Sequence, residues 1–494
     1  MNLERSLVSL QRIFVESDRR FVLAATVALA VAAGLVVGAY VAILSPILAV
    51  VGVVALTGGL LMLRDIQWGL IGLIGLICLL PFGALPFKIG FTPTFLDLVL
   101  IATYFVWLAR IATGKAPEFV GTVLGPPIVL FLLLAIASFV AGLGHSYLDS
   151  YVLRHFVEIL LSIGLFFVVV NSVRTPKQLR TIVTVVLLAG FGAALIGVIL
   201  YFIPADWSIR LLSALGRVGY PSGAGVLRYV EDNPDLALRA ISTSTDPNVL
   251  GGLLILITVL TTAQVFARKP VLPQPALAFM AVVDAGCLYL TYSRGSMAGL
   301  AVGLGMLALI KYRRLIPMMG VAAALVLVLP QARDYVQHFV EGIQLQDLAT
   351  LMRLGEYKDA MALISRHPWI GVGFVSAPEI SLYIGVSNVY MLIAEEMGLV
   401  GLSVFVLILT LFFRAVWRAW PTIRNTEGLE AILLGLTSAL IGILVGGVFD
   451  HYFFNLNFPH SVSIFWIYLG LAMATLRLGT QGDVPGRLQA SPAQ

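Results

Sequence analysis

About fourteen long apolar runs restrict what this chain can become more than any other feature. They fall at 21–41, 46–63, 68–85, 95–112, 126–143, 156–172, 180–203, 247–266, 274–291, 296–311, 315–330, 388–413, 428–449 and 461–477. A helix needs about 20 apolar residues to cross roughly 30 Å of hydrocarbon. Of all residues 59% are hydrophobic and only 12% charged, with mean hydropathy +0.98. No soluble globule needs so little charge for so much apolar mass. The expected fold is an all-α polytopic membrane protein of about twelve to fourteen transmembrane helices.

Cations orient the bundle. With Arg5, Arg12, Arg19 and Arg20 in the cytosol, the same side receives Arg64, Arg110, Arg174, Arg180, Arg268, Lys311, Arg414, Arg424 and Arg477. Every short loop on that side carries a positive charge, as the positive-inside rule requires. The first run is too long for a signal-peptide core and is read as a retained anchor. The chain then divides into a cytoplasmic segment 1–20, helices over 21–203, an external loop 204–246, and helices over 247–330. A long external loop with an amphipathic helix (331–387), helices over 388–478 and a cytoplasmic tail 479–494 complete it. Long loops on one face suggest chemistry or recognition there.

Several function classes lack support. The two cysteines, Cys78 and Cys287, lie inside apolar runs, so neither a disulfide framework nor a thiolate cage is expected. The six histidines form no H-E-x-x-H pattern and there is no G-x-x-x-x-G-K-[ST] loop. No metal, no cofactor and no nucleic-acid partner is therefore expected; the net charge of +5 is spread over membrane flanks. No internal repeat is visible, which weakens the case for a transporter of related halves.

Three external arginines stand out. Arg239 precedes Ser242-Thr-Ser-Thr-Asp246-Pro-Asn248, Arg294 lies in the short turn Tyr292-Ser-Arg-Gly-Ser296, and Arg353 opens an amphipathic segment ending at Arg366. In that segment Leu354, Tyr357, Met361 and Ile364 are expected on one face, with Arg353 and Glu356 on another. Guanidinium groups stay charged and fit phosphate oxygens bidentately. A departing diphosphate gains negative charge, so such groups stabilise the transition state more than the ground state. Each also has a plainer reading. Arg294 can snorkel to the interface, and Arg353 can pair with Glu356 three residues on.

Arg239 with Asp246-Pro-Asn248, Ser293-Arg-Gly295, Arg353 with His367-Pro-Trp-Ile-Gly-Val-Gly373, and Glu396-x-Gly398-Leu-Val-Gly401 together resemble the O-antigen ligase and polymerase family. The resemblance covers about residues 239–401. It implies a GT-C-like membrane glycosyltransferase, inverting and metal-independent, acting on the external face of the bacterial inner membrane. It implies undecaprenyl-diphosphate-linked oligosaccharide and membrane lipid as partners, with a chain-length regulator and a flippase alongside. It also implies that Arg239, Arg294 and Arg353 contact the diphosphate. Asp246, Asn248, His367, Asn388 and Glu396 are expected to bind substrate.

One departure matters. Many members carry His-Asn at the start of the helix after the long loop, whereas this chain has Ser387-Asn388. Serine has no pKa suited to general-base work. Candidate substitutes are His367, Glu356 and the Asp450-His451 pair, although His451 also reads as a solvated loop residue. Glu395 and Glu396 are expected about 10–13 Å into their helix, where an unpaired charge is costly. Glu158 and Asp284 are similar structural carboxylates, and Asp97 an ordinary interfacial one. The favoured activity is polymerisation of lipid-linked repeats into O-antigen, capsule or exopolysaccharide. A ligase moving glycan to lipid A-core or protein is the alternative, and a lipid-oligosaccharide flippase or exporter a third.

Overall fold

The computed structural model describes residues 46–85, 88, 91–114, 118–144, 148–328, 344, 348–374 and 385–481. The span expected at 21–41, most of 331–347 and the tail lie outside these residues. Helix α1 (Pro46–Arg64) belongs to an N-terminal unit; everything from Asp65 onward forms a second.

The second unit is helical and polytopic. Its helices are α2 (Gln67–Leu79), α3 (Phe95–Ala112), α4 (Gly125–Gly142), α5 (Ser150–Ser172), α6 (Pro176–Phe202) and the short α7 (Ala205–Ala214). There follow α8 (Pro247–Val265), α9 (Gln274–Leu290), α10 (Arg294–Ile310), α11 (Leu315–Val328), α12 (Leu348–Arg366), α13 (Val389–Ile423), α14 (Leu429–Gly446) and α15 (Pro459–Gln481). Each apolar run from 46–63 onward coincides with a helix. Eight of them are long and apolar enough to cross a membrane. At 1.5 Å per residue, the 13 residues of α2 and the 17 of α9 or α10 reach about 20 and 26 Å, short of about 30 Å. Among the described residues, length and composition together support eight crossings.

Local chemistry starts these helices where the sequence changes register. Thr94 and Thr175 close reciprocal capping boxes with Asp97 and Gln178. Asp246 accepts from the amides of Asn248 and Val249, with Pro247 at the first helical position, where a missing N–H costs nothing.

Three helices, α8, α14 and α15, form the buried centre, each with 89% of its apolar window enclosed. Between lipid-like surfaces there is little hydrophobic gain, so close packing must hold helices together. Glycines supply it. A Cβ at Gly299 of α10 would stand 2.6 Å from Gly442 O of α14, and one at Gly303 3.2 Å from Ser438 O.

The loop 204–246 holds α7 and a small antiparallel ribbon, β1 (Arg228–Tyr229) with β2 (Leu238–Arg239), in the register Arg228 to Arg239. One expectation needs correction. Helix α12 lies differently from its apolar pattern. Tyr357, Ala360 and Leu363 turn toward protein along with Arg353 and Glu356, whereas Leu354 is 37% and Met361 56% exposed. Leu351, Met352, Leu354 and Met361 face outward, as suits a segment at a membrane surface, together with Lys358, Asp359 and Arg366, whereas Arg353 and Glu356 face in.

Candidate active site

The helix α13 breaks ten residues after its cap, at Gly398 (φ +68°, ψ 179°). The break leaves carbonyls without helical partners, and the turn after α12 supplies them. Val372 N donates to Glu395 O at 2.8 Å, Gly373 N to Glu396 O at 3.0 Å, and Leu399 N to Pro368 O at 2.7 Å. Ser138 Oγ of α4 donates to Ile370 O at 2.8 Å and also to Glu396 O. A Cβ on Gly398 would run into Trp369 O, and one on Gly371 into Glu395 O. The two glycine motifs of the sequence are therefore halves of one joint, which fixes α12 against α13.

That joint aims the other end of α12. Glu356 Oε2 accepts from Ser387 N at 2.9 Å, and the Tyr357 hydroxyl lies 3.3 Å from Val448 O. Asn388 is fully used as a cap: its Oδ1 accepts from Tyr390 N and Met391 N, and its Nδ2 donates to Val448 O at 2.9 Å. Val389 N donates to Gly447 O at 2.8 Å. The starts of α12 and α13 are so tied to the turn between α14 and α15.

The same turn meets the remaining motifs. A Cβ on Gly295 would stand 2.7 Å from Phe449 Cβ, so the first turn of α10, with Arg294 as its first residue, packs on the residue before Asp450. The sequence reading put Arg294 in a turn; Ser293 caps it into a helix. Arg239 Nε donates to Thr291 O at 2.8 Å, and its Nη2 to Asn248 Oδ1 at 2.7 Å. Ala240 N donates to Leu290 O at 2.8 Å. Arg239, Asn248 and Asp246 thus form a relay beside the α9–α10 corner.

Asp450 sits at the focus. Burial pushes its carboxyl above the ordinary aspartate range, and the charge of Asp246 pushes the same way; His451 and Arg353 pull it back. One carboxylate thus feels both the α8 cap and the α12 arginine. Beside it, His451 Nδ1 lies 2.9 Å from Val386 O. A carbonyl only accepts, so Nδ1 carries the hydrogen and Nε2 keeps its lone pair in the neutral ring. The ring stacks near Phe458, centroids 6.4 Å apart. His451 is accordingly a positioned, half-buried imidazole, not a solvated one. Asp450 does not orient it; the Asp450 carboxylate instead accepts from the His451 backbone N–H at 2.8 Å.

Arg239, Arg353, Asp246, Asn248, Glu356, Asn388, His451 and the backbone of Arg294 are therefore gathered at one end of the bundle. His367 and Glu396 are not. Fourteen residues along α12 from Arg353, His367 is about 20 Å away by helical rise, and Glu396 lies about 12 Å beyond Asn388. Both belong to the joint. Among the described residues, no three His, Cys, Asp or Glu side chains are grouped to hold a metal.

Sequence reading missed a second ionic group. Arg154 of α5 contacts Asp97 Oδ2 at 2.9 Å, Glu158 Oε1 at 3.1 Å and Thr92 O at 2.9 Å, and His155 Nδ1 meets Glu158 Oε2 at 2.7 Å. Asp97 is not an ordinary interfacial residue. The i to i+4 spacing of Arg154 and Glu158 was the available signal; the partnership with Asp97 comes from another helix.

Comparison with known proteins agrees with the motifs. Residues 279–406 match a family model described as O-Antigen ligase. This range includes Arg294, Arg353, Glu356, His367, Asn388 and Glu396 but not Arg239 or His451. The chain is also 27% identical over 240 residues to an O-antigen ligase of Pseudomonas aeruginosa; the match covers 48% of this chain and 56% of that relative. The matching domain, the shared motifs and this relative all support a likeness to the O-antigen ligase/polymerase family, and the chain spans about half the length of the curated relative it matches.

Proposed function

We propose that the chain is a glycosyltransferase that moves a glycan from a polyprenyl-diphosphate donor to an acceptor hydroxyl at the end of the bundle where Asp450 lies. One observation carries the reading: Arg239, Arg353 and the first turn of α10 bearing Arg294 are drawn together around Asp246 and Asp450. An exporter has no need of this external focus.

In the proposed reaction the acceptor oxygen attacks the anomeric carbon from the face opposite the leaving group. The bond from that carbon to the diphosphate oxygen breaks, and the diphosphate departs with the electron pair. Arg239, Arg294 and Arg353 stabilise that charge, and the positive N-terminal ends of α8 and α10 add to it. The acceptor proton goes to His451 Nε2. The ring hangs from the carbonyl of Val386, one residue before Ser387, so an imidazole from another loop stands beside the position where the family pattern has its own histidine. General-base help of this kind contributes about 10²–10⁴-fold.

Glycan polymerisation is the favoured form, because Ser387 departs from the ligase-type His-Asn pair. Ligation is the second reading, favoured by the name of the Pseudomonas relative. The test is purified protein with a lipid-diphosphate oligosaccharide, assayed for longer glycans and free polyprenyl diphosphate. Elongation supports polymerisation; transfer only after a lipid A-core acceptor is added supports ligation. Neither product would sink the assignment, and undiminished turnover by His451→Gln would remove the base.

A further inference from the structure

The opposite end of the bundle carries a cavity that glycan transfer does not use. It measures 310 Å³ and is bordered by Arg110 and Trp107 of α3, Arg174 between α5 and α6, Asn171, Asp65 and Glu118. The cation pattern assigns this end to the cytosol. The volume is that of a small-ligand pocket, and its charged lining comprises two guanidinium groups and two carboxylate residues.

The Arg174 guanidinium is held in a fixed plane. Its Nε donates to Asn171 O at 2.7 Å, and its Nη2 to Glu118 O at 2.8 Å and Asn171 Oδ1 at 3.3 Å. Its Nη1 donates to no described residue. Arg477 is near enough for the two charges to be felt mutually, which strengthens the positive side of the pocket. The fixed charge and the remaining Nη1 amino group suit one oxygen of a phosphate.

A second hollow, of 600 Å³, shares Phe119 with the first and is almost wholly apolar. Val129, Leu130, Leu133 and Phe167 line it. Val129, Leu130 and Leu133 are exposed, so this side of α4 faces lipid. The hollow rises about 12 Å from Gly125 to Leu133 by helical rise. A charged pocket at the interface opening onto an apolar furrow has the two-part shape of a phospholipid. A soluble phosphate has no use for the furrow, and Asp65 and Glu118 offer acceptors for an ammonium, which an anionic headgroup lacks.

We propose that this paired cavity binds an ethanolamine-headed phospholipid of the cytoplasmic leaflet, its phosphate on Arg110 and Arg174, its ammonium toward Asp65 and Glu118, and an acyl chain along α4. Trp107 supplies the probe. The full chain in detergent, stripped of lipid, is titrated with phosphatidylethanolamine brominated in its acyl chains, and Trp107→Phe gives the background. Quenching is expected at a concentration at least fivefold lower than with brominated phosphatidylcholine or phosphatidylglycerol. Arg110→Gln should weaken it at least fivefold. Leu133→Gln, at an exposed position that folding does not depend on, should do the same by spoiling the furrow. Equal quenching by all three lipids, or no effect of either substitution, would overturn the site and leave only an annular lipid. The readout is independent of glycan transfer, so neither proposal's failure imitates the other's.

Discussion

Two groups of ionisable side chains occupy the same end of this bundle, and they are built on opposite terms. Around Arg154 the charges are closed: Asp97, Glu158 and Thr92 O surround the guanidinium with acceptors at 2.9–3.1 Å, and His155 holds the other oxygen of Glu158. Around Asp450 they converge from several helices. Asp246 repels Asp450, Arg353 attracts it, and the nearest hydrogen bonds run to backbone: Val386 O, Val448 O, Ser387 N and Thr291 O. A closed group holds helices at fixed distances. A converging one, tied largely to backbone groups, keeps charge directed at whatever enters.

The comparison is broken or sharpened by four substitutions. The largest effect is expected from Arg154→Met, which strands two buried carboxylates and should cost about 3–5 kcal/mol of stability; size-exclusion and thermal melts in detergent read it. A well-folded Arg154→Met protein that has lost only transfer would erase the distinction. Next, Arg353→Ala should leave the melt nearly unchanged and lower turnover by about 10²–10³-fold, the usual loss for one donor to developing charge. Unchanged turnover would move Arg353 to the structural side.

Gly398→Ala tests the joint that aims α12. A residue with a Cβ in this backbone region costs on the order of 1–3 kcal/mol, and here the Cβ also meets Trp369 O. Both stability and transfer should fall; an unaltered melt would show that the break in α13 is not needed. The smallest effect belongs to Asp450→Asn. Because the folded carboxyl is raised, its protonated form is favoured by folding, and that contribution is complete at low pH and lost as pH rises through the folded value. The variant should therefore gain in melting temperature over the parent as pH increases from about 4 to about 8. A difference that shrinks over this range would mean that Arg353 and His451 outweigh burial.

Much of the fold was legible because a twenty-residue apolar run has few options in hydrocarbon. The helix starts at Asp246 and Asn388 were readable from cap chemistry, and Arg294 from the cost of a charge in a minimal turn. Glu356 was misjudged: spacing on one helix suggested a partner at Arg353, whereas the structure gives it the amide of Ser387, thirty-one residues on. His367 and Glu396 looked like ligands because their motifs are rich in glycine and charge. Their glycines serve a backbone junction, a purpose that cannot be seen until the two segments are adjacent. The expected apolar face of α12 is split, with Leu354 and Met361 outward and Tyr357 and Ile364 partly buried, because hydropathy alone does not say whether lipid or protein lies on that side.

Composition and periodicity by themselves determined that this is a helical membrane protein with its cations biased to one end, since those properties follow from local transfer free energies. Which carbonyl holds the imidazole of His451, which helix answers the gap at Gly398 and which carboxylate Arg353 addresses were decided only by the tertiary structure. The reason is physical: these contacts join residues separated by tens of positions, and close packing, not local preference, selects them.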